Sequence, residues 1–375
     1  MPVPSDTRTA PDLIGLLAAA IGREDRAVNA LVAFDVEAVC RATDVHGVGP
    51  LLLEALAGHD SALQRALHAR GVAHSAADIL REAELRRLLP AFAAASVPLV
   101  LIKGAALAYT HYARSDLRPR LDTDVLIPAV AQDSAHAVLT GAGYTLQPQI
   151  TADLVMYQAV YAKDLGGGAR HLIDLHWRIA NPQSFGDVLT FEELAASATP
   201  VPALDAIARS LEEVRALLLS CVHRVAHHHD APNLIWIHDI HLQASRLDDA
   251  SWERFLTLAH DRNIGAVCRR SLEMAVELFH TRIPDLVMSD PRLAGEHTRR
   301  APTAAHLEHR RHVSTVIDDF KRLPGWRLRL RLARQHLLPP ATYMRQVYAP
   351  ASRAPLAFLY TVRAMKGARR WFART

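Results

Sequence analysis

Cysteine is scarce in this chain: Cys40, Cys221 and Cys268 are the only three among 375 residues, and they lie far apart. That excludes a disulfide framework and a cysteine-based zinc site. Aromatic residues make up only 6% of the chain, while alanine and leucine abound, which favours helix over strand. No long apolar run is present either. The most apolar window, Leu88 to Leu107, is interrupted by Ser96, Pro98 and Lys103, too broken for a membrane span. The opening M-P-V-P-S-D-T-R-T lacks the apolar core of a secretory signal, so a reducing cytoplasm is the expected setting. Acidic residues are missing from one end. From Phe320 to Thr375 there are 13 lysines and arginines and no aspartate or glutamate, so residues 1–319 carry a net charge of −9 within a chain of net +4. A basic tail follows an acidic body.

Half of the residues are apolar, enough to bury a sizeable core in two domains or in one domain with large helical additions. Helical periodicity is expected from Pro11-Asp12, through Leu13, Ile14, Leu16 and Leu17. It continues over Val36 to Leu56, Ser61 to Ala69 and Ala76 to Ala95, the last with Leu80, Leu85, Leu88 and Leu89 on one stripe. Nothing there carries chemistry, and a helical cap is the expectation.

The stretch from Pro98 to Ile127 differs. It reads as a short apolar strand ending in Lys103-Gly104, a helix starting at Ala105, a loop through Arg118-Pro119, and a second strand opening with Asp122 and Asp124. Alternation along a strand puts the two carboxylates on one side, about 7 Å apart. Such a pair repels unless a cation lies between, and Mg²⁺ is the natural occupant of an oxygen-rich site. A glycine turn feeding a helix N-terminus suits phosphate. Downstream, Asp133 to Thr140 reads as a helix ended by Gly141-Ala-Gly143. Leu154 to Lys163 and Ala169 to Ile179 read as strands joined at residues 164–168. In the second of these, Leu172, Asp174 and His176 share a face. A buried aspartate is costly unless paired or metal-bound, which makes Asp174 a candidate third ligand.

The runs L-I-K-G-A-A-L-A, R-P-R-L-D-T-D-V-L and I-D-L-H-W resemble the uncharacterised bacterial nucleotidyltransferase family, a branch of the polymerase-β-like nucleotidyltransferase superfamily. The resemblance extends loosely from Ala83 to Phe279. It departs from the superfamily pattern at Ala105, where a small hydroxyl residue is usual, and in a longer spacing from glycine to the acid pair. It implies an α+β, mostly helical fold, with a small mixed-sheet nucleotidyltransferase module at 96–185. Around the module it implies an N-terminal helical region at 1–95, a helical domain at 186–300 and a basic C-terminal region at 301–375. It further implies that Asp122, Asp124 and Asp174 are the catalytic and metal residues, holding Mg²⁺ or Mn²⁺. Asp174 would serve as ligand of a second ion or as activator of the acceptor hydroxyl. Lys103, Gly104, Ala105, Arg118 and His176 become the phosphate-binding set, with His176 either touching the cleft or serving as a structural histidine behind it, and His223, Trp236 and Asp239 line or brace the cleft. The donor would be an NTP; the acceptor would be a small molecule, a sugar phosphate or a protein.

Several readings stay open beside this one. Arg118 either holds a phosphate or pairs with Asp116 or Asp122, and Arg120 is its near neighbour. A catalytically lapsed nucleotide-binding or adaptor protein fits the same residues. From about Phe191 to Phe279 the chain reads as helical, over Leu211 to His229, Ile235 to Leu247, Trp252 to His260 and Gly265 to Phe279. Within it, His223 and His227, and His238 and His241, are spaced to bind a transition metal. The His-Asp pairs at 229–230 and 238–239 resemble phosphohydrolases of the HD type, although the spacing fits that class poorly. After Pro284 the chain is loose until periodicity returns at Arg310. The basic tail interleaves its charge with Trp326, Tyr343, Tyr348, Phe358, Tyr360, Trp371 and Phe372, and Ala354 to Phe372 reads as a basic amphipathic helix. An anionic membrane, a nucleic acid, or the acidic body of the same or a partner protein would each suit it.

Overall fold

The computed structural model describes residues 10–150, 152–308, 312–348 and 354–372. The opening nine residues, Arg310, Arg353, Arg374 and the side chains of Trp371 and Phe372 lie outside the described residues. The first layer is helical: α1 (Ala10–Ile21), α2 (Asp25–Val32), α3 (Val36–His46), α4 (Gly49–Ala55) and α5 (Ala62–Ala94). Local chemistry sets several of these boundaries. Asp35 caps α3 by accepting from the Ala38 amide, and Gly47 ends it in the left-handed region at φ +66°, a conformation that costs glycine little. The stretch read as one helix from Val36 to Leu56 is therefore two. Conversely, Ser61–Ala69 and Ala76–Ala95 merge into the 33-residue α5, capped by Ser61 through the Gln64 amide. No residue in the apparent gap forces a break, and Pro90 lies near the far end of the helix.

The sheet follows, with β1 (Val100–Leu101), α6 (Lys103–Thr110), β2 (Asp122–Leu126), α7 (Gln132–Gly141), β3 (Thr145–Leu146), β4 (Gln158–Gly166) and β5 (Ala169–His176). After α8 (Phe191–Ala196), two short strands complete it, β6 (Thr199–Pro200) and β7 (Arg209–Ser210). The strand order is β3-β4-β5-β2-β1-β7-β6. Pairing of β2 is parallel with β5 and antiparallel with β1. Residues 199–210 fall in a stretch read as helical, and the parallel pairing of β7 with β1 carries the sheet past residue 185. Two-residue strands have no periodicity to read. The first turn of α6 also starts at Lys103, two residues before the expected Ala105.

Helices α9 (Glu213–Ala226), α10 (Leu234–Ala244), α11 (Asp249–Asp261) and α12 (Gly265–Phe279) form the next layer. The stretch after Pro284, read as loose, contains the short helices α13 (Asp285–Ser289), α14 (Pro291–Ala294), α15 (Glu296–Arg299) and α16 (Ala305–Glu308). The tail is α17 (His312–Arg322), α18 (Trp326–Leu337), α19 (Ala341–Tyr348) and α20 (Leu356–Phe372). It returns to the sheet module: Arg331 pairs with Asp153 at 2.8 Å, and Asp319 accepts from the Gln183 amide at 2.8 Å. All three cysteines are free and buried. Among the described residues, no helix is long and apolar enough to cross a membrane.

Alternation divides the sheet into two faces. Val125, Ile173 and Leu175 pack with Leu85, Leu88 and Phe92 of α5 in one core. Asp122, Asp124, Asp174 and His176 point the other way, toward the larger core built from α1–α4 and α9–α12.

Candidate active site

The parallel register of β2 and β5 places Asp124 beside Asp174, and Leu126 beside His176. Side chains at paired positions share a face, so three polar groups meet where an apolar strand surface would otherwise be. His176 Nε2 lies 2.9 Å from Asp124 Oδ1 and 3.4 Å from Asp174 Oδ2. Gln158, at the start of β4, donates to Asp174 Oδ2 at 2.8 Å. Lys103 stands at the first position of α6, two residues past β1, in a left-handed backbone conformation, φ +54°. Its Nζ donates to Asp124 Oδ1 at 2.7 Å and lies 3.2 Å from His176 Nε2.

Burial favours the neutral form of every acid here, and charge decides which acids resist it. At Asp122 burial dominates and the neighbouring Asp124 and Asp174 add to it, pushing its carboxyl up to about 6. At Asp124 burial pushes the same way, but the Lys103 ammonium and His176 overcome it and hold the carboxyl well below its usual range. For His176, burial and Lys103 work against the proton, while Asp174 and Asp124 prevail and raise the imidazole above its ordinary value.

Ligand atoms of Asp124, Asp174 and His176 all lie within 4.8 Å of one another. Asp174 Oδ1 and His176 Nδ1 are buried without a hydrogen-bond partner, so the group retains unused ligand capacity. Two carboxylates with a third, Asp122, on the same strand suit a hard divalent cation, and the imidazole nitrogen suits Mn²⁺ better than Mg²⁺.

These residues form one wall of a cleft of about 670 Å³. Lys103, Gly104, Arg118, Asp122, Asp124 and Asp174 line it, with His223, Trp236 and Asp239 of α9 and α10 on the facing wall. Two candidate residues are elsewhere. Ala105 is 1% exposed inside α6, and His176 lies behind the carboxylates, outside the lining. The arginines also differ from expectation. Arg118 does not pair with Asp116 or Asp122; it grips Asp239 of α10, Nε to Oδ1 at 2.9 Å and Nη2 to Oδ2 at 2.8 Å. Asp116 is taken by Arg114 at 3.1 Å. Arg120 reaches Asp78 at 3.1 Å and the Tyr109 hydroxyl at 2.9 Å. Gly104 makes the Arg118 arrangement possible, since a Cβ there would stand 2.9 Å from the guanidinium.

The histidine run supplies the facing wall as neutral rings. His228 stacks on Trp236 with centroids 3.8 Å apart, and His223 meets the same ring edge-on at 6.0 Å. Burial, then the Lys103 charge, lowers His223 and His227 well below their usual range and His228 to about 4. In the His-Asp pairs, Asp239 holds Arg118, and Asp230 holds Arg270 at 3.0 Å. Among the described residues, the histidine run does not form a converging ligand group. Gln158, His227 and Tyr112, which donates to Asp239 Oδ1 at 2.7 Å, also belong to the site. Strand register would have shown Gln158, and the i, i+4 spacing from His223 already marks His227; Tyr112 carries no local signal.

A family described as uncharacterised nucleotidyltransferase matches residues 33–280. That span takes in all the cleft residues named above. No curated protein matches the chain.

Proposed function

The chain belongs to the uncharacterised nucleotidyltransferase family, and from that premise we propose that it transfers a nucleoside monophosphate from an NTP to an acceptor hydroxyl with the help of Mg²⁺ or Mn²⁺. The observation that carries this reading is the pairing of Asp124 with Asp174 across β2 and β5, beside Lys103 on the wall of an open cleft. A divalent ion held by Asp122 and Asp124 would neutralise triphosphate charge and orient the α-phosphate. Lys103 keeps Asp124 ionised and brings a second positive charge to the phosphates. The acceptor oxygen bonds to the α-phosphorus as the bond to pyrophosphate breaks. The acceptor proton passes to Asp174, whose Oδ1 has no other partner. Trp236 and its stacked histidine offer an aromatic wall against which a base can lie. Ala105 does not face the cleft, so the missing hydroxyl there leaves this arrangement intact.

Thermal melting with ATP, GTP, CTP and UTP, each with Mg²⁺ and with EDTA, tests the reading. A nucleotide at one hundred times its dissociation constant adds roughly 2.7 kcal/mol to stability. One NTP is expected to raise the melting temperature by a few degrees in Mg²⁺ only, and Asp122→Ala/Asp124→Ala is expected to lose the shift. A shift that survives both EDTA and the double substitution would refute the metal-carboxylate site. Mg²⁺-dependent binding without pyrophosphate release for any acceptor would favour the lapsed nucleotide-binding protein.

A further inference from the structure

A second cavity, of about 1350 Å³, opens between the sheet module and the tail helices α17, α19 and α20. His227 lines both this cavity and the catalytic cleft, so the two spaces meet at one imidazole. Two polar groups in it lack the partners that burial demands. His227 Nε2 and Thr315 Oγ1 are buried with no hydrogen-bond partner. Asp319 is 7% exposed, and burial pushes its carboxyl up to about 7 against the pull of the Gln183 amide and Arg322. The remaining wall is largely apolar, with Met156, Val316 and Val347, while Arg363 and Lys366 contribute positive charge. Among the described residues no carboxylate pairs with either cation.

We propose that this cavity holds the acceptor, a hydroxyl-bearing molecule with an apolar body and one anionic group. Its hydroxyl lies at His227, facing the cleft; Thr315 and Asp319 serve polar atoms along its length; Arg363 and Lys366 take the anionic end. The assignment rests on the nucleotidyl-transfer reading and adds the acceptor to it. In the reaction the acceptor oxygen forms a bond to the α-phosphorus of the NTP and the bond to pyrophosphate breaks, its electron pair leaving on pyrophosphate. The hydroxyl proton goes to Asp174. The product is a phosphodiester whose apolar half lies under the tail and whose nucleoside half lies against Trp236. The basic tail thereby becomes part of the substrate site.

The test uses the full chain and two probes. Anilinonaphthalenesulfonate, an apolar ring system with one anionic group, reports binding by fluorescence. The compound ω-hydroxydodecanoate supplies a hydroxyl, an apolar body and a carboxylate. Val347→Trp fills the cavity from a position already 44% exposed, and Lys366→Glu reverses a charge on an exposed residue; neither is expected to alter the melting temperature or the shift given by Mg²⁺ and NTP. Both should weaken sulfonate binding by about tenfold or more. The hydroxy acid should displace the sulfonate and stimulate pyrophosphate release in the wild type, whereas dodecanoate should displace it without release. Equal sulfonate affinities in the three proteins, or no release with the hydroxy acid while the NTP shift is intact, would overturn the acceptor cavity alone. No NTP shift in the wild type would overturn the donor reading and the acceptor assignment with it.

Discussion

At Lys103 the backbone takes a left-handed turn, φ +54°, which costs a non-glycine residue of order 1 kcal/mol. The ammonium that this turn delivers to Asp124 lies in a buried setting, where charge interactions are strong. Arg118 and Asp239 make another buried ion pair of the cleft, with side chains 8% and 6% exposed. Arg118→Ala leaves Asp239 with the Tyr112 hydroxyl and no cation, and should cost about 3–5 kcal/mol. Arg118→Lys cannot make the two-pronged contact and should recover only part of that. Urea midpoints of the two variants check this; an unchanged midpoint for Arg118→Ala would show that the pair contributes nothing. The common sheet face of Asp122, Asp124 and Asp174 was legible in the sequence, since alternation along a strand is a local signal. The sequence could not show the partner of Arg118, which lies 121 positions away, and so Asp116 and Asp122 stood as the nearer choices.

Elements meet most closely where glycine allows it. Gly265 starts α12, and a Cβ there would stand 2.2 Å from the Arg292 carbonyl oxygen of α14 and 2.7 Å from Thr298 Cγ2 of α15. Because the first of these is backbone, no rotamer change can relieve it. Gly265→Ala should destabilise by more than the roughly 1–3 kcal/mol usual for overpacking. Gly141, in the last turn of α7, has nothing within 4 Å of that position. Gly141→Ala should instead stabilise by about 0.4–1 kcal/mol. Calorimetric melting of the pair should thus give shifts of opposite sign. The apolar stripe of α12 made that helix legible to the residue, while α9, α10 and α11 were found with ends shifted by one to three residues. The fusion of two stripes into α5 and the two-residue strands β6 and β7 were not, because each depends on packing rather than on period; the split at Gly47 is a local left-handed glycine stop that the apolar period runs across.

At the scale of the molecule, the basic tail is tied to the sheet module by few polar contacts, and Asp319 of α17 makes one of them. Its carboxyl rises to about 7, so the folded chain holds this proton more tightly than the unfolded chain does. That stabilising contribution is full below about pH 4, falls as pH rises toward 7, and is absent above it. Asp319→Asn keeps the acceptor oxygen for Gln183 without the charge. It should be more stable than the wild type by about 4 kcal/mol at pH 8, with the difference shrinking toward zero near pH 4. A constant difference across that range would contradict the assignment. The charge asymmetry of the chain was plain from composition, but the place where the tail returns was not. The clamp between Arg118 and Asp239 has a consequence at this scale too. It fastens the loop before β2 to α10, so the two walls of the cleft are held at a fixed spacing before anything enters. A ligand then spends little of its binding energy on bringing these two walls together.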